Sequence, residues 1–380
     1  MLMIQRALQP ILQNALFNNK VVVLYGPRRV GKTTLVRQIL ANNAHVPSRY
    51  VNCDLPDQRV DLRPDLGALR AFLSTNTLVV LDEAQRVPDI GLVLKIMADE
   101  FPQHQIIATG SSSFELAGQV GKPLTGRVAH FRLLPFSVSE LTAAGKFSSI
   151  RPDFETRMLY GSYPDVIDAN PSLAMDFLDN LRVDYLYKDV LAFERLRKAD
   201  LVQNLLKLLA LQLGSEVSMN ELATQLGVNR TTVERYLNLL EQTFVIFRVR
   251  ALSRNPRKEI AKSFKVYFYD LGIRNAVIGQ FNALNSRTDA GALWENFCIA
   301  ERIKTRHAQR RAAEYYFWRT YAQQEVDWVE ANGDHLAAFE FKLGSGKSGG
   351  LRAFGEAYPD ATTQTITPES ALEFIRHHVE

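Results

Sequence analysis

Gly26-Pro27-Arg28-Arg29-Val30-Gly31-Lys32-Thr33 follows directly on the apolar run at 21–25, and its Gly-x-x-x-x-Gly-Lys-Thr spacing falls where a strand signal gives way to a helix. A triphosphate is held by successive backbone N–H groups of a tight turn and by the helix N-terminus behind it, which demands glycine where a side chain would block the approach. Gly26 and Gly31 supply that freedom, with Pro27, Arg28, Arg29 and Val30 completing the loop. Lys32 is expected to reach the β- and γ-phosphates and Thr33 to offer its hydroxyl to Mg²⁺. Thr34 is placed to donate its N–H to the α-phosphate.

A second apolar run, 78–81, ends in Asp82-Glu83, the way a buried parallel strand delivers acids to the carboxyl edge of a sheet. Asp82 is read as the Mg²⁺ holder, acting through water. Glu83 points to the other side of the strand end, where it can orient and deprotonate the attacking water, so the pair favours hydrolysis over phosphate transfer. A third run, 105–109, enters Gly110-Ser111-Ser112-Ser113. Thr109 and Ser111 are candidates to sense the γ-phosphate, although a serine-rich turn serves equally well as a cap. A helicase is disfavoured because no second motor lobe is found. The guanine-reading Asn-Lys-x-Asp is absent, so ATP is the expected nucleotide.

With 380 residues the chain is long enough for two or three cores, and its composition is that of an ordinary globular protein. The net charge of +4 is too small to draw nucleic acid by the whole-molecule field, so any such affinity needs local patches. Cys53 and Cys298 lie far apart without metal-ligand or redox spacing and read as reduced core residues. Ile4, Leu8, Ile11, Leu12 and Leu16 have helical spacing with polar interruptions, which predicts an amphipathic helix packed on the nucleotide domain, in the cytoplasm. No apolar run approaches the roughly 20 residues that span a bilayer, so no membrane is expected as a partner.

Alternating strand and helix signals over 21–134 describe a parallel sheet with helices on both faces, and after Pro135 that rhythm changes. Residues 154–213 read as a helical lid or connector interrupted at Tyr160-Gly161-Ser162-Tyr163-Pro164. Ser218-Met219-Asn220-Glu221 is a capping-box pattern, Gly227 ends that helix, and Asn229 caps a second one running to Gln242. With 244–247 as a first wing strand, this is a winged helix-turn-helix. Arg230, Thr231, Arg235 and Asn238 fall on the polar face of the second helix, where a DNA reader places its contacts. Glu234 and Glu241 dilute the charge, and a purely structural role is equally open. Arg248, Arg250, Arg254, Arg257, Lys258, Lys262 and Lys265 then form a basic stretch suited to phosphates at groove edges or, alternatively, to a solvated linker.

Beyond it, Glu295 sits in a helical stretch at 294–303, followed by strand candidates at 315–318, 325–329 and 336–343. Alternation along a strand puts Glu340 and Lys342 on one side, and Asp327 of the neighbouring strand can stand beside them. Phosphodiester hydrolysis at neutral pH needs carboxylates to hold divalent metal and a cation to assist the attacking water. Asp327, Glu340 and Glu295 would hold the metal, with Lys342 as the cation. A Glu-x-Lys is also a common surface pairing across strands, so the same residues fit a nuclease-like domain that grips without cutting.

Taken with Leu-Asp-Glu-Ala-Gln at 81–85, Thr-Gly-Ser-Ser-Ser at 109–113, Leu-Thr-Gly-Arg at 124–127, Lys-Val-Tyr-Phe-Tyr-Asp-Leu-Gly at 265–272, Glu-Val-Asp-Trp-Val at 325–329 and Glu-Phe-Lys at 340–342, the phosphate-loop segment gives the chain a resemblance. It resembles, over essentially its whole length, bacterial and archaeal AAA-type P-loop ATPases fused to a C-terminal domain of unknown function with a restriction-endonuclease-like core. The resemblance implies ATP binding and hydrolysis. It places Arg127 where such proteins carry an arginine that touches the γ-phosphate, in cis or across a subunit of a homo-oligomer.

The expected architecture is α/β: an additional-strand, AAA-like P-loop domain (1–145), a helical lid (146–200), a winged helix-turn-helix (201–255) and a restriction-endonuclease-like domain (256–380). The expected function is Mg²⁺-dependent ATP hydrolysis coupled to a C-terminal half acting on DNA, or alternatively a nucleotide-gated scaffold that binds DNA or protein.

Overall fold

The structure, a computed structural model, describes residues 4–111, 126–148, 150–183, 199–252, 264–311, 313–320, 322–344 and 349–376. The chain divides into two compact units. The first comprises Met1–Leu134 with Gln242–Phe244, and the second Pro135–Glu241 with Val245–Glu380.

In the first unit, strands β1 (Val21–Tyr25), β2 (Ser48–Asn52), β3 (Leu78–Asp82), β4 (Gln105–Gly110) and β5 (Val128–Arg132) form one sheet in the order β2-β3-β4-β1-β5. Every pairing is parallel. β1, β3 and β4 are buried along their whole length, which is why they read as unbroken apolar runs, whereas the edge strands β2 and β5 carry exposed positions. The helices are α1 (Leu8–Asn14), α2 (Lys32–Asn42), α3 (Pro56–Arg59), α4 (Leu66–Leu73) and α5 (Ile90–Glu100). α2 buries Leu35, Val36 and Ile39, and α5 buries Ile90, Val93, Leu94 and Met97. Because β4 is inserted between β1 and β3, the carboxyl ends of all three strands meet at one edge. α1 is the expected amphipathic helix, with Leu8 and Leu12 buried. Just ahead of it, the buried Arg6 guanidinium donates to the carbonyls of Val30 (2.8 Å) and Leu134 (2.6 Å), bracing the phosphate loop from behind.

The second unit opens with α6 (Val138–Ala143), held by a complete capping box between Ser137 and Glu140. α7 (Arg151–Tyr160), α8 (Pro171–Leu181) and α9 (Ala199–Leu211) follow. α7 stops at Gly161, whose φ of 70° and close approach leave no room for a side chain: a Cβ would lie 1.9 Å from Asp270 Oδ1. Asp270 in turn accepts from the N–H groups of Ser162 (2.7 Å) and Ile273 (3.3 Å), tying the break in the helical region to α12 (Leu271–Ile278).

The expected helix pair is α10 (Met219–Leu226) and α11 (Arg230–Gln242). Ser218 caps the first by accepting from Glu221 N–H (3.3 Å), and Asn229 caps the second by accepting from Thr232 N–H (2.7 Å). The strand expected as a wing begins later than the sequence suggests. Phe244 has φ 58° in the turn, and β7 runs Ile246–Ala251, so Arg248 and Arg250 are strand residues.

β6 (Glu216–Val217), β7 and β8 (Phe264–Phe268) do not stand apart from the C-terminal strands β9 (Glu314–Arg319), β10 (Glu325–Asn332), β11 (His335–Phe341) and β12 (Thr362–Ile366). All seven form one mixed sheet in the order β12-β11-β10-β9-β7-β8-β6. β9, β10 and β11 are an antiparallel meander, β12 joins β11 in parallel, and β7 joins β9 in parallel. α13 (Ala290–Ala308) precedes the meander, α14 (Gly349–Ala357) crosses from β11 to β12, and α15 (Ala371–Arg376) closes the chain. Trp318, Val326, Val329, Ala338, Leu351 and Phe354 make a core cluster. Elsewhere in the same unit, the buried Arg302 guanidinium donates to both oxygens of Glu330 (2.9 and 2.8 Å).

Among the described residues no helix is long and apolar enough to cross a membrane. Phe354 is fully buried, with its ring edge-on to Trp318 at 5.2 Å. Phe354→Ala is expected to cost about 3–5 kcal/mol, read as a lowered denaturation midpoint.

Candidate functional site

Six of the candidate side chains converge at the carboxyl edge of the first unit's sheet. Gly26 ends β1 with the Leu133 carbonyl only 2.0 Å from where a Cβ would stand, so no other residue can turn the chain there. Arg29 (φ 61°) and Gly31 (φ 92°) are left-handed, and this pair of reversals curls the loop before α2 begins at Lys32. Pro27 and Val30 are buried beneath the loop, and Thr34 is exposed in the first turn of α2. Lys32 Nζ donates to the carbonyls of Gly26 (2.9 Å) and Pro27 (3.0 Å), which aims the ammonium across the loop's mouth. Burial lowers its proton affinity, and the charges of Glu83 and Asp82 act the other way.

Asp82 is the hub. Its Oδ2 accepts from Thr33 Oγ1 (2.7 Å) and Tyr50 Oη (2.6 Å), and its Oδ1 from Thr109 Oγ1 (2.5 Å). Thr109 is therefore a brace for the acid: its hydroxyl also receives Glu83 N–H at 3.0 Å. Glu83 leaves the strand with a left-handed backbone, φ 53°. Gln85 Nε2 donates to Glu83 Oε2 (2.5 Å) and to Ser111 Oγ (3.3 Å), so Ser111 joins the site through Gln85.

This donor set fits a magnesium-chelated triphosphate. A hydroxyl and a carboxylate stand 2.7 Å apart where the ion would be held, the cradle excludes a Cβ, and a lysine crosses the loop. Tyr50, Gln85 and Arg6 were not legible as site residues. Tyr50 lies on an edge strand beneath the Arg37 guanidinium (4.9 Å to its ring), and its contact with Asp82 spans neighbouring strands.

Arg127 requires a correction. Its carbonyl accepts from Val21 N–H (2.9 Å), at the start of β1, whereas the phosphate loop follows the end of that five-residue strand, about 16 Å away at the usual rise. Its guanidinium pairs with Asp99. The structure therefore does not bring Arg127 to the phosphate loop of the same chain.

In the second unit, Asp327, Glu340, Lys342 and Glu295 are brought together. The β10–β11 register sets Trp328 opposite Phe339, which carries Asp327 opposite Glu340. A register shift between Val326 and Val329 against β9 bends the strand there. Phe341 N–H donates to Asp327 Oδ2 (3.0 Å), and Lys342 Nζ pairs with Glu340 Oε1 at 2.7 Å. Burial, reinforced by the charge of Glu295, pushes the Asp327 carboxyl up to about 7, with Lys265 and the Phe341 N–H opposing.

The cluster does not fit the expected divalent metal. Lys265, 1% exposed, places its ammonium on Glu325 Oε1 (2.5 Å) and Glu295 Oε1 (3.3 Å), and Tyr267 Oη donates to the same Glu295 oxygen (2.6 Å). Among the described residues no group of three or more His, Cys, Asp or Glu side chains is arranged to hold a metal ion. The expected ligand set of Glu295, Asp327 and Glu340 is not among such groups.

The basic stretch also divides. Lys265 is internal, and Arg248 is pinned by Glu234 (3.0 Å) and Glu241 (2.5 Å) and touches Asn238. Arg250 is exposed, and Arg254, Arg257, Lys258 and Lys262 lie outside the described residues. Both cysteines are buried and free, with their thiols pushed upward by burial, Cys53 to about 12.

Comparison with known proteins agrees with the first site. Residues 18–142 match an AAA domain family, residues 151–284 a domain of unknown function (DUF8612) and residues 290–373 another (DUF4143). The chain is 29% identical over 334 residues to an uncharacterized protein of Mycobacterium tuberculosis, spanning 85% of this chain and 70% of that one. It is 24% identical over 341 residues to an uncharacterized protein of Methanocaldococcus jannaschii, spanning 83% and 73%. A Walker-type ATPase of Pyrococcus abyssi superposes with a TM-score of 0.50 at 17% identity, covering 73% of this chain and 96% of that one, a likeness of fold.

Tyr50→Phe removes one of the two hydroxyls on Asp82 Oδ2. It is expected to raise the magnesium concentration needed for half-maximal nucleotide binding several-fold, measured by calorimetric titration, while metal-free nucleotide affinity is unchanged. The sequence match over residues 18–142, the sheet order and the geometry around Asp82 together liken the first unit to P-loop ATPase domains of the AAA type.

Proposed function

We propose that the chain is a Mg²⁺-dependent ATPase whose nucleotide cycle governs DNA binding by the second unit. The observation that carries the ATPase half is the convergence of Lys32, Thr33, Asp82 and Glu83 at one sheet edge. The loop N–H groups and Lys32 Nζ bind and orient the phosphates, which restricts the γ-phosphoryl group to one line of attack. Thr33 and Asp82 would hold magnesium, which supplies charge neutralisation at the β- and γ-oxygens when bound. Glu83, freed from Gln85, accepts the proton of the attacking water, and Gln85 sets when it does so.

For the second unit, the support is electrostatic. Arg230, Thr231 and Arg235 are exposed on α11, and the acids that would dilute them, Glu234 and Glu241, are taken up by Arg248. The exposed helix face is left basic, and exposed Arg250 on β7 adds to the local charge. The order α10-α11-β7-β8 supports a winged helix, and the order α13-β9-β10-β11-α14-β12 supports a restriction-endonuclease-like frame. In this reading the frame grips the duplex and the winged helix supplies phosphate contacts.

Glu83→Gln is expected to retain ATP binding while kcat falls about 10²–10⁴-fold, as seen by steady-state phosphate release. A proportional loss of binding would instead mean a structural role. Paired Arg230→Ala and Arg235→Ala substitutions are expected to weaken DNA binding in gel shifts and lower the logarithmic salt slope by roughly 2. Unchanged binding and slope would remove α11 from the interface.

A further inference from the structure

We propose that Lys265 is a resident cation standing where a metal-dependent nuclease frame would hold its divalent ion, so that the acidic cluster of the second unit is closed to metal and does not cleave phosphodiesters by a metal route. The inference rests on reading this unit as nuclease-like. It concerns what that frame does with its acids.

The sequence presents Lys265 as the last member of a basic stretch, but β8 reads Phe-Lys-Val-Tyr-Phe and is buried at all five positions. A buried ammonium needs carboxylates or other acceptors around it, and Lys265 has Glu325 at 2.5 Å and Glu295 at 3.3 Å, with Asp327 also contributing to its field. Its Nζ lies 5.6 Å from the centre of the Phe317 ring, a contact that favours a cation.

A divalent ion requires several carboxylate oxygens with lone pairs free to converge on one point. Here one oxygen of each acid already serves a protein donor. Glu295 Oε1 accepts from Lys265 and Tyr267, Glu325 Oε1 from Lys265, Asp327 Oδ2 from Phe341 N–H, and Glu340 Oε1 from Lys342. Two lysines offset half the charge of the four acids, and a divalent ion entering among them would stand against a fixed ammonium in a partly desolvated site. The residues that spell a nuclease motif have been turned into an internal ion-pair network.

Mn²⁺ binding to the full-length, nucleotide-free protein at pH 8, followed by electron paramagnetic resonance, tests this. Wild type and Asp327→Asn are expected to bind Mn²⁺ alike, because the cluster contributes no ligand. Lys265→Met is expected to gain one Mn²⁺ per chain, and the double variant Lys265→Met/Asp327→Asn to lose that gain. A wild-type Mn²⁺ whose affinity drops tenfold or more in Asp327→Asn overturns the proposal, as does a folded Lys265→Met that gains none. Should Lys265→Met fail to fold, the wild-type and Asp327→Asn pair decides alone. The gel-shift result is separate: wild type that binds no DNA would remove the DNA reading and leave the metal result standing.

Discussion

The Asp82 carboxylate, held by three hydroxyls from three different elements, is the constraint on which the nucleotide site depends. Thr33 comes from α2, which follows β1, Tyr50 from β2 and Thr109 from β4, and each reaches Asp82 because parallel pairing sets these elements around the end of β3. A buried acid without such donors would carry a desolvation cost. With them, its oxygens are oriented and remain exchangeable, since a hydroxyl can surrender an acceptor to a metal or its water at modest expense.

The second acidic cluster solves the same desolvation problem by the opposite means. Lys265 supplies a permanent, buried charge in place of exchangeable hydroxyls. A hydroxyl-braced acid is poised to change partners during a reaction cycle, whereas an ammonium locked between two glutamates is part of the frame. In the proposed reading the two halves of the chain keep carboxylates for different purposes, one for turnover and one for architecture. Arg302 and Glu330, buried in the same unit, extend that architectural use of charge.

Support for the phosphate loop comes from farther away than the motif suggests. Arg6 reaches from the N-terminal segment to the Val30 carbonyl, and the Leu133 carbonyl crowds Gly26, so the loop's shape is held by residues more than 20 and 100 positions distant. Gln85 plays a comparable part for Glu83, linking the end of β3 to the end of β4 through Ser111.

What the chain alone determined is whatever contiguous residues encode: the glycine-reversed loop, the acid pair closing an apolar strand, the caps at Ser218 and Asn229, and the alternation that aligns Glu340 with Lys342. These are set by local backbone sterics and by periods of two and 3.6 residues, which need no knowledge of distant neighbours. Tertiary structure decided the rest. Arg127 is adjacent in sequence to a strand but stands at its wrong end for the loop, because direction within a sheet is fixed only when strands pair. Lys265 reads as one more surface charge until β8 is buried on both faces, and Tyr50 has no meaning for Asp82 until β2 lies beside β3. Burial and strand pairing arise from contacts between remote segments, so the partners of a charge are written in the fold and not in the spacing.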